Sequence, residues 1–283
     1  MGIFQAVILG FVQGLTEFVP VSSSGHLVLL HRVFGISEPT LFFDVMLHAG
    51  TLLAVFIVLR QDIWTLLHRP IQPLTGFLIL GTIPAVIAAL VFRGPIEGAF
   101  ETGQFLGFSF LITSSLLCTA EVLSKRKHYL RGHETFTTDQ SLAEVNWRSM
   151  SWRDASVIGL MQALAIVPGV SRSGATITGA LSRKLNRELA ARFSFLLSIP
   201  AILGALILQI RDLLTGSMAV ENGSIGATAL IAGTITAALV GFFAIRFMLK
   251  IIKEKSLYTF AIYTAILGIL VLIDQLGTKI FFN

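Results

Sequence analysis

The sequence predicts an all-α polytopic membrane protein made of two inverted repeats, each a re-entrant helical hairpin followed by three transmembrane helices. Three observations lead there: an apolar composition, six runs long enough to span a bilayer, and two interrupted apolar regions that copy one another. Of 283 residues 54% are hydrophobic and only 13% charged, with a mean hydropathy of +0.80, values for a chain embedded in lipid.

In chain order, the first apolar region, Gly2 to Phe34, is broken halfway by "FVPVSSSGH". No Lys or Arg precedes Arg32, so it lacks the basic flank of a secretory signal and is expected to stay in the mature protein. Leu41 to Leu59, Leu74 to Phe92 and Phe105 to Leu123 follow, each about the 20 residues that a bilayer requires. The polar stretch Ser124 to Arg153 separates them from a second broken region, Asp154 to Leu185, interrupted by "VPGVSRSGA". Ala191 to Ile210, Ile225 to Met248 and Leu257 to Leu276 complete the set. Proline and glycine break helices, and broken backbone at membrane depth is tolerated only where protein or water satisfies it.

The two broken regions align without gaps. Gly10 matches Gly159, Gln13 matches Gln162, and Ser22, Ser24 and Gly25 match Ser171, Ser173 and Gly174; further on, "GTIPA" from Gly81 recurs as "GTITA" from Gly233. A single membrane domain therefore divides into repeat 1 (1–123), a linker (124–153) and repeat 2 (154–283).

Basic residues decide the hand of the repeat. If each broken region crosses the membrane once, the twenty Lys and Arg other than Arg172 divide ten to ten. If each dips in and returns, they divide sixteen to four, with only Arg32, Arg93, Arg211 and Lys279 opposite the rest. Cytoplasmic loops carry the excess of positive charge, so the second arrangement is expected, with the linker cytoplasmic and both termini outward. The formal charge of +5 is explained by this loop bias, and nucleic-acid binding is set aside. Cys118 is the single cysteine, which excludes an internal disulfide and a thiolate cluster.

Glu17 is the residue that most needs a reason, because an ionised side chain at membrane depth costs roughly 2.5–3.5 kcal/mol and normally marks a site. It lies four residues after Gln13, on the same helix face, and precedes the turn of Ser22, Ser23, Ser24, Gly25 and His26. The opposite turn offers Arg172 between Ser171 and Ser173, flanked by Gly169 and Gly174. Two helix N-termini and a guanidinium suit phosphate oxygens, and a carboxylate beside them calls for a divalent cation, Mg²⁺ or Ca²⁺. The constellation reads as a diphosphate and metal site with Ser or His available for chemistry. Plainer readings stay open: Glu17 as a structural counter-ion of Arg172, Ser22 and Ser24 as helix caps, His26 as a satisfied tip residue, and Asp44 with His48 as either a cavity pair or a buried hydrogen-bonded pair. Gln162 reads as an interhelical hydrogen bond. His31, His68, His128 and His133 receive no role.

With "GLTEFVPVSSSGHLVL" and "PGVSRSGATITGAL" in order, the sequence resembles, along its whole length, the undecaprenyl-diphosphate phosphatase family, the bacitracin-resistance proteins. The resemblance implies a bacterial cytoplasmic (inner) membrane enzyme. It would hydrolyse a polyprenyl diphosphate lipid, undecaprenyl diphosphate, to undecaprenyl phosphate and phosphate, recycling the carrier of envelope polysaccharides. The family's acidic motif, Glu or Gln, three residues, then Glu, falls on Gln13 and Glu17; its serine and histidine positions fall on Ser22, Ser23, Ser24 and His26, and its arginine motif on Ser171, Arg172 and Ser173. Gln13 leaves one fewer carboxylate than in members with Glu there. A likeness of "SGH" to the type-2 phosphatidic acid phosphatases fails, since the position six beyond Arg172 is Thr178.

On this reading Arg172, Gly174 and a cation held by Glu17 grip the diphosphate, Ser23 attacks phosphorus and His26 accepts the proton. The rival within the same site has His26 as nucleophile. From a different class, inverted repeats with paired hairpins also suit a transporter or lipid translocase. Oligomeric state leaves no signature, and a homodimer stays an open expectation.

Overall fold

A computed structural model describes residues 1–36, 41–130, 147–214 and 225–282. Helices are their only regular secondary structure, with no strand among them. The first broken region forms α1 (Ile3–Thr16) and α2 (Ser23–Val33), the second α8 (Trp152–Leu164) and α9 (Arg172–Ser182). At 1.5 Å per residue none of the four reaches the roughly 30 Å of a hydrocarbon core. The two halves of each broken region pack on each other.

Between them run α3 (Leu41–Val58), α4 (Arg60–His68), α5 (Pro73–Val91), α6 (Arg93–Thr102) and α7 (Leu106–Leu130); α10 (Arg187–Leu214), α11 (Ala227–Glu254) and α12 (Tyr258–Ile273) follow. Five of the six expected spans are met by α5, α7, α10, α11 and α12, each long and apolar enough to cross. The sixth, α3, ends at a bend of 81° into α4. Helix α4 presents Trp64 and Leu67 outward, a composition suited to the membrane interface. Helix α7 runs seven residues beyond the expected Leu123, so the polar stretch begins as helix; its residues 131–146, with His133, lie outside the described residues. A π-helical turn, Asp274–Thr278, extends α12, and Asp274 accepts the backbone N–H groups of Ile280, Phe281 and Phe282 behind it.

Apolar side chains point two ways, as a lipid-embedded bundle requires. Phe18, Phe193, Phe195, Ile158 and Ile177 are buried between helices, with Phe18 and Phe195 edge to face at 5.3 Å. Ile231, Ile235, Leu239 and Phe243 lie exposed along α11. Without a hydrophobic drive between helices in lipid, close backbone approach at small residues holds such bundles together. Here it is reciprocal. Helix α1 packs on α11 and α8 packs on α5. A Cβ on Gly10 would collide with the Gly233 carbonyl, and one on Gly159 would lie 2.8 Å from the Gly81 carbonyl. These are the residues that the sequence repeat pairs. Gln162, expected to bridge helices, donates to the Gly81 carbonyl at 3.3 Å.

Candidate active site

The two breaks meet. Ser22 caps α2 by accepting the Gly25 N–H at 3.3 Å, and Ser171 caps α9 by accepting the Gly174 N–H at 3.0 Å. Both helices therefore start at the tips, with their N-terminal N–H groups there. Each tip also reaches for the other: Ser24 Oγ accepts the Gly169 N–H at 3.4 Å, and Ser173 Oγ donates to the Val19 carbonyl at 3.4 Å. Ser22 adopts φ 71, a left-handed value that costs a non-glycine residue energy and needs surrounding structure to hold it. Gly169, at φ 90, makes the corresponding turn in the second tip without that cost.

Glu17 stands at the centre, 6% exposed. Arg172 donates through Nη2 to Oε1 of Glu17 and through Nη1 to the Ser194 carbonyl at 3.2 Å. Ser23 Oγ donates to Oε2 at 2.5 Å, and Gln13 Nε2 donates to the same oxygen at 3.0 Å. His48, from α3, places Nε2 3.5 Å from Oε2. Its Nδ1 lies 2.7 Å from the Asp44 carbonyl, which can only accept, so Nδ1 carries a proton. Nε2, which then carries the ring's lone pair, is the nitrogen that faces Glu17, so a proton arriving on the carboxylate has an acceptor beside it.

His26 lies elsewhere. Its Nδ1 donates to the Ser22 carbonyl at 2.7 Å, and its Nε2 pairs with Tyr263 Oη at 2.7 Å. The ring packs edge-on to Phe110 and parallel to Tyr263. Both nitrogens are thus engaged away from Ser23, so accepting its proton would require the ring to leave these partners. Asp44 and His31 form a further pair at 3.4 Å.

Glu17, Ser22, Ser23, Ser24, His48, Ser171 and Arg172 line one cavity of about 350 Å³. Its remaining wall is mostly apolar, with Leu27, Val28, Val45, Phe100, Ile166 and Ile202 among its residues. A polar pole and an apolar flank in one cavity match an amphiphile with an anionic head.

For a divalent cation, the described residues offer no cluster of three His, Cys, Asp or Glu side chains. They do offer the Glu17 carboxylate beside Gln13 Oε1, a buried acceptor without a hydrogen-bond partner. Carboxylate and amide oxygens are the donors that Mg²⁺ and Ca²⁺ prefer, and Mg²⁺ commonly takes one or two protein ligands and completes its shell with phosphate and water. The pair fits such an ion, provided that substrate supplies most of the shell.

Residues 6–270 match the family described as "Bacitracin resistance protein BacA". The chain belongs to that family. It is 42% identical to an undecaprenyl-diphosphatase of Carboxydothermus hydrogenoformans over 99% of this chain and 100% of the relative. It is 45% identical to "Undecaprenyl-diphosphatase 4" of Bacillus cereus (97% and 98%) and 38% identical to an undecaprenyl-diphosphatase of Methanosphaera stadtmanae (96% and 98%).

Three residues of this BacA-family site, Thr113, Ser194 and Tyr263, carry no role in the sequence, and a fourth, His48, carries only an open one. His48 was visible as one of two open readings. Thr113 of α7 donates to the Gly169 carbonyl at 3.1 Å and accepts the Ser171 N–H at 2.9 Å, pinning the second tip. Ser194 holds Arg172 through its carbonyl, and Tyr263 holds His26. Polar residues inside apolar runs are the only signal that the last three leave.

Proposed function

We propose that this membrane protein is an undecaprenyl-diphosphatase, hydrolysing undecaprenyl diphosphate to undecaprenyl phosphate and inorganic phosphate and so conferring bacitracin resistance. The observation that carries the reading is the convergence of a Ser23 hydroxyl, a Glu17 carboxylate and an Arg172 guanidinium at the polar pole of a cavity with an apolar flank.

Arg172 and the N–H groups that start α2 and α9 bind the diphosphate and stabilise charge on the transferred phosphoryl group, the dominant demand of phosphoryl transfer. Ser23 Oγ attacks the terminal phosphorus. Its proton passes to Glu17 Oε2, 2.5 Å away, and from there to His48. The bond from that phosphorus to the bridging oxygen breaks, and undecaprenyl phosphate leaves. Water then attacks the Ser23 phosphoester; the Glu17 and His48 pair takes its proton and returns one to Ser23 as the Oγ–phosphorus bond breaks, phosphate leaves, and the proton still held by the pair passes to solvent, which resets the site. Glu17 and Gln13 Oε1 would hold a divalent cation, which when bound neutralises diphosphate charge. Ser22, Ser24, Ser171 and Ser173 shape the tips, and His26 positions the first of them through Ser22 and Tyr263.

The test is phosphate release from undecaprenyl diphosphate by purified protein in detergent, with and without chelator. Wild-type release, lost in Arg172→Ala and Ser23→Ala, is expected. Binding without release would replace the enzyme reading with transport, since detergent removes any gradient.

The inverted arrangement is part of the proposal. The crossed glycine contacts, Gly10 on Gly233 and Gly159 on Gly81, support a pseudo-two-fold axis relating the repeats, and the sixteen-to-four charge division supports outward termini in the bacterial inner membrane. A cysteine within 125–150 should resist impermeant thiol reagent in intact cells, and one near Asn283 should react. The reverse labelling would overturn the arrangement.

A further inference from the structure

A second cavity, of about 250 Å³, shares no residue with the first and lies where α3 turns into α4 beside α11. Ile57, Val58, Arg60, Gln61, Phe242 and Arg246 line it. Arg60 and Arg246 are both exposed, and neither guanidinium has an ion-pair or hydrogen-bond partner within the protein among the described residues. Arg246 instead lies over the Phe242 ring at 5.2 Å. Helix α4 starts at Arg60 with no side-chain cap, so its first N–H groups are open on the same side.

The position makes these arginines informative. Helix α3 has 18 residues, about the 27 Å that brings Arg60 to the edge of a hydrocarbon core. Leu53 and Ile57 precede Arg60, and Leu239 and Phe243 precede Arg246, by seven and three residues. Helical spacing therefore puts each pair on its arginine's side of the packed helices α3 and α11, where all four are exposed and make an apolar strip leading from the cavity. An unpaired guanidinium at that boundary attracts phosphate, and two of them beside an apolar strip fit one molecule with a phosphate head and acyl chains.

We propose that this cavity binds an anionic phospholipid, its head between Arg60 and Arg246 and its chains along the strip. The binding is separate from the catalytic site and does not depend on the function proposed for that site.

The test reconstitutes protein with equal phosphatidylglycerol and phosphatidylcholine, then counts retained lipids by native mass spectrometry. Four proteins are compared: wild type, Arg60→Gln/Arg246→Gln, Arg60→Lys/Arg246→Lys, and the charge-matched surface control Arg69→Gln/Lys255→Gln. Wild type and control should retain phosphatidylglycerol about tenfold over phosphatidylcholine, the Lys pair should keep part of that preference, and the Gln pair should fall to near parity. Equal retention of both lipids by wild type, or a Gln pair that matches the control, overturns the proposal. Displacement of phosphatidylglycerol by millimolar inorganic phosphate would also overturn it, assigning the cavity to free anions. Unchanged melting of the Gln pair in detergent without lipid checks that the fold survives.

Discussion

The two hairpin tips share a sequence plan and a backbone plan, yet divide the chemistry between them. Ser22 and Ser171 cap in the same way, and Ser24 and Ser173 each cross to the other tip. At the positions that face the cavity the copies part: Glu17 corresponds to Ile166 and Ser23 to Arg172. One hairpin supplies the acid and the hydroxyl, and the other supplies the cation. Two carboxylates or two guanidiniums facing each other across the contact would repel, whereas one of each forms a pair that desolvation would otherwise penalise. The likeness therefore lies in what holds the tips together, and the difference lies in what the cavity can do.

The largest expected break in that division is Glu17→Gln. It should lower kcat/KM by about 10²–10³-fold or more, the scale of losing one preorganised electrostatic group. Excess Mg²⁺ should recover part of the loss by mass action. If Glu17 were only the counter-ion of Arg172, the variant would instead lose about 3–5 kcal/mol of stability through an unpaired buried charge, with no cation rescue. Phosphate release and thermal unfolding on one preparation separate these outcomes.

On the opposite tip, Arg172→Lys keeps the charge and removes the planar fork that spans Glu17 and Ser194. A loss of about 10²-fold in kcat/KM is expected, and full activity would show that the fork is not needed.

Next come the crossed glycines. Gly10→Ala and Gly159→Ala each force a methyl into facing backbone and should cost about 1–3 kcal/mol apiece in unfolding experiments. Comparable costs sharpen the repeat comparison, whereas a large effect at one and none at the other would break it. Ser22→Ala and Ser171→Ala should each cost about 1 kcal/mol as lost caps. The smallest effect is expected from Tyr263→Phe, about 0.5–1.5 kcal/mol, with turnover changed less than about threefold because His26 is a positioning residue here. A collapse of turnover in that variant would return His26 to the chemistry.

The sequence by itself determined the membrane class, the two broken regions, the copied glycines and serines, and the candidacy of Glu17 and Arg172 for one site. Those features depend on local chemistry: apolar length fixes spanning helices, Pro and Gly fix breaks, and charge at membrane depth must find a partner. Only the tertiary structure decided which histidine meets Glu17. His26 is nine residues away in sequence, on the same hairpin, yet points to Tyr263; His48 belongs to another helix and reaches the carboxylate. Likewise the bend at Leu59, which brings Arg60 beside Arg246, left no break residue in "FIVLRQDIW". Side-chain direction follows from how helices rotate and cross, and those rotations are set by contacts between distant segments such as Gly10 with Gly233. No local pattern encodes them, because each contact needs both surfaces to exist.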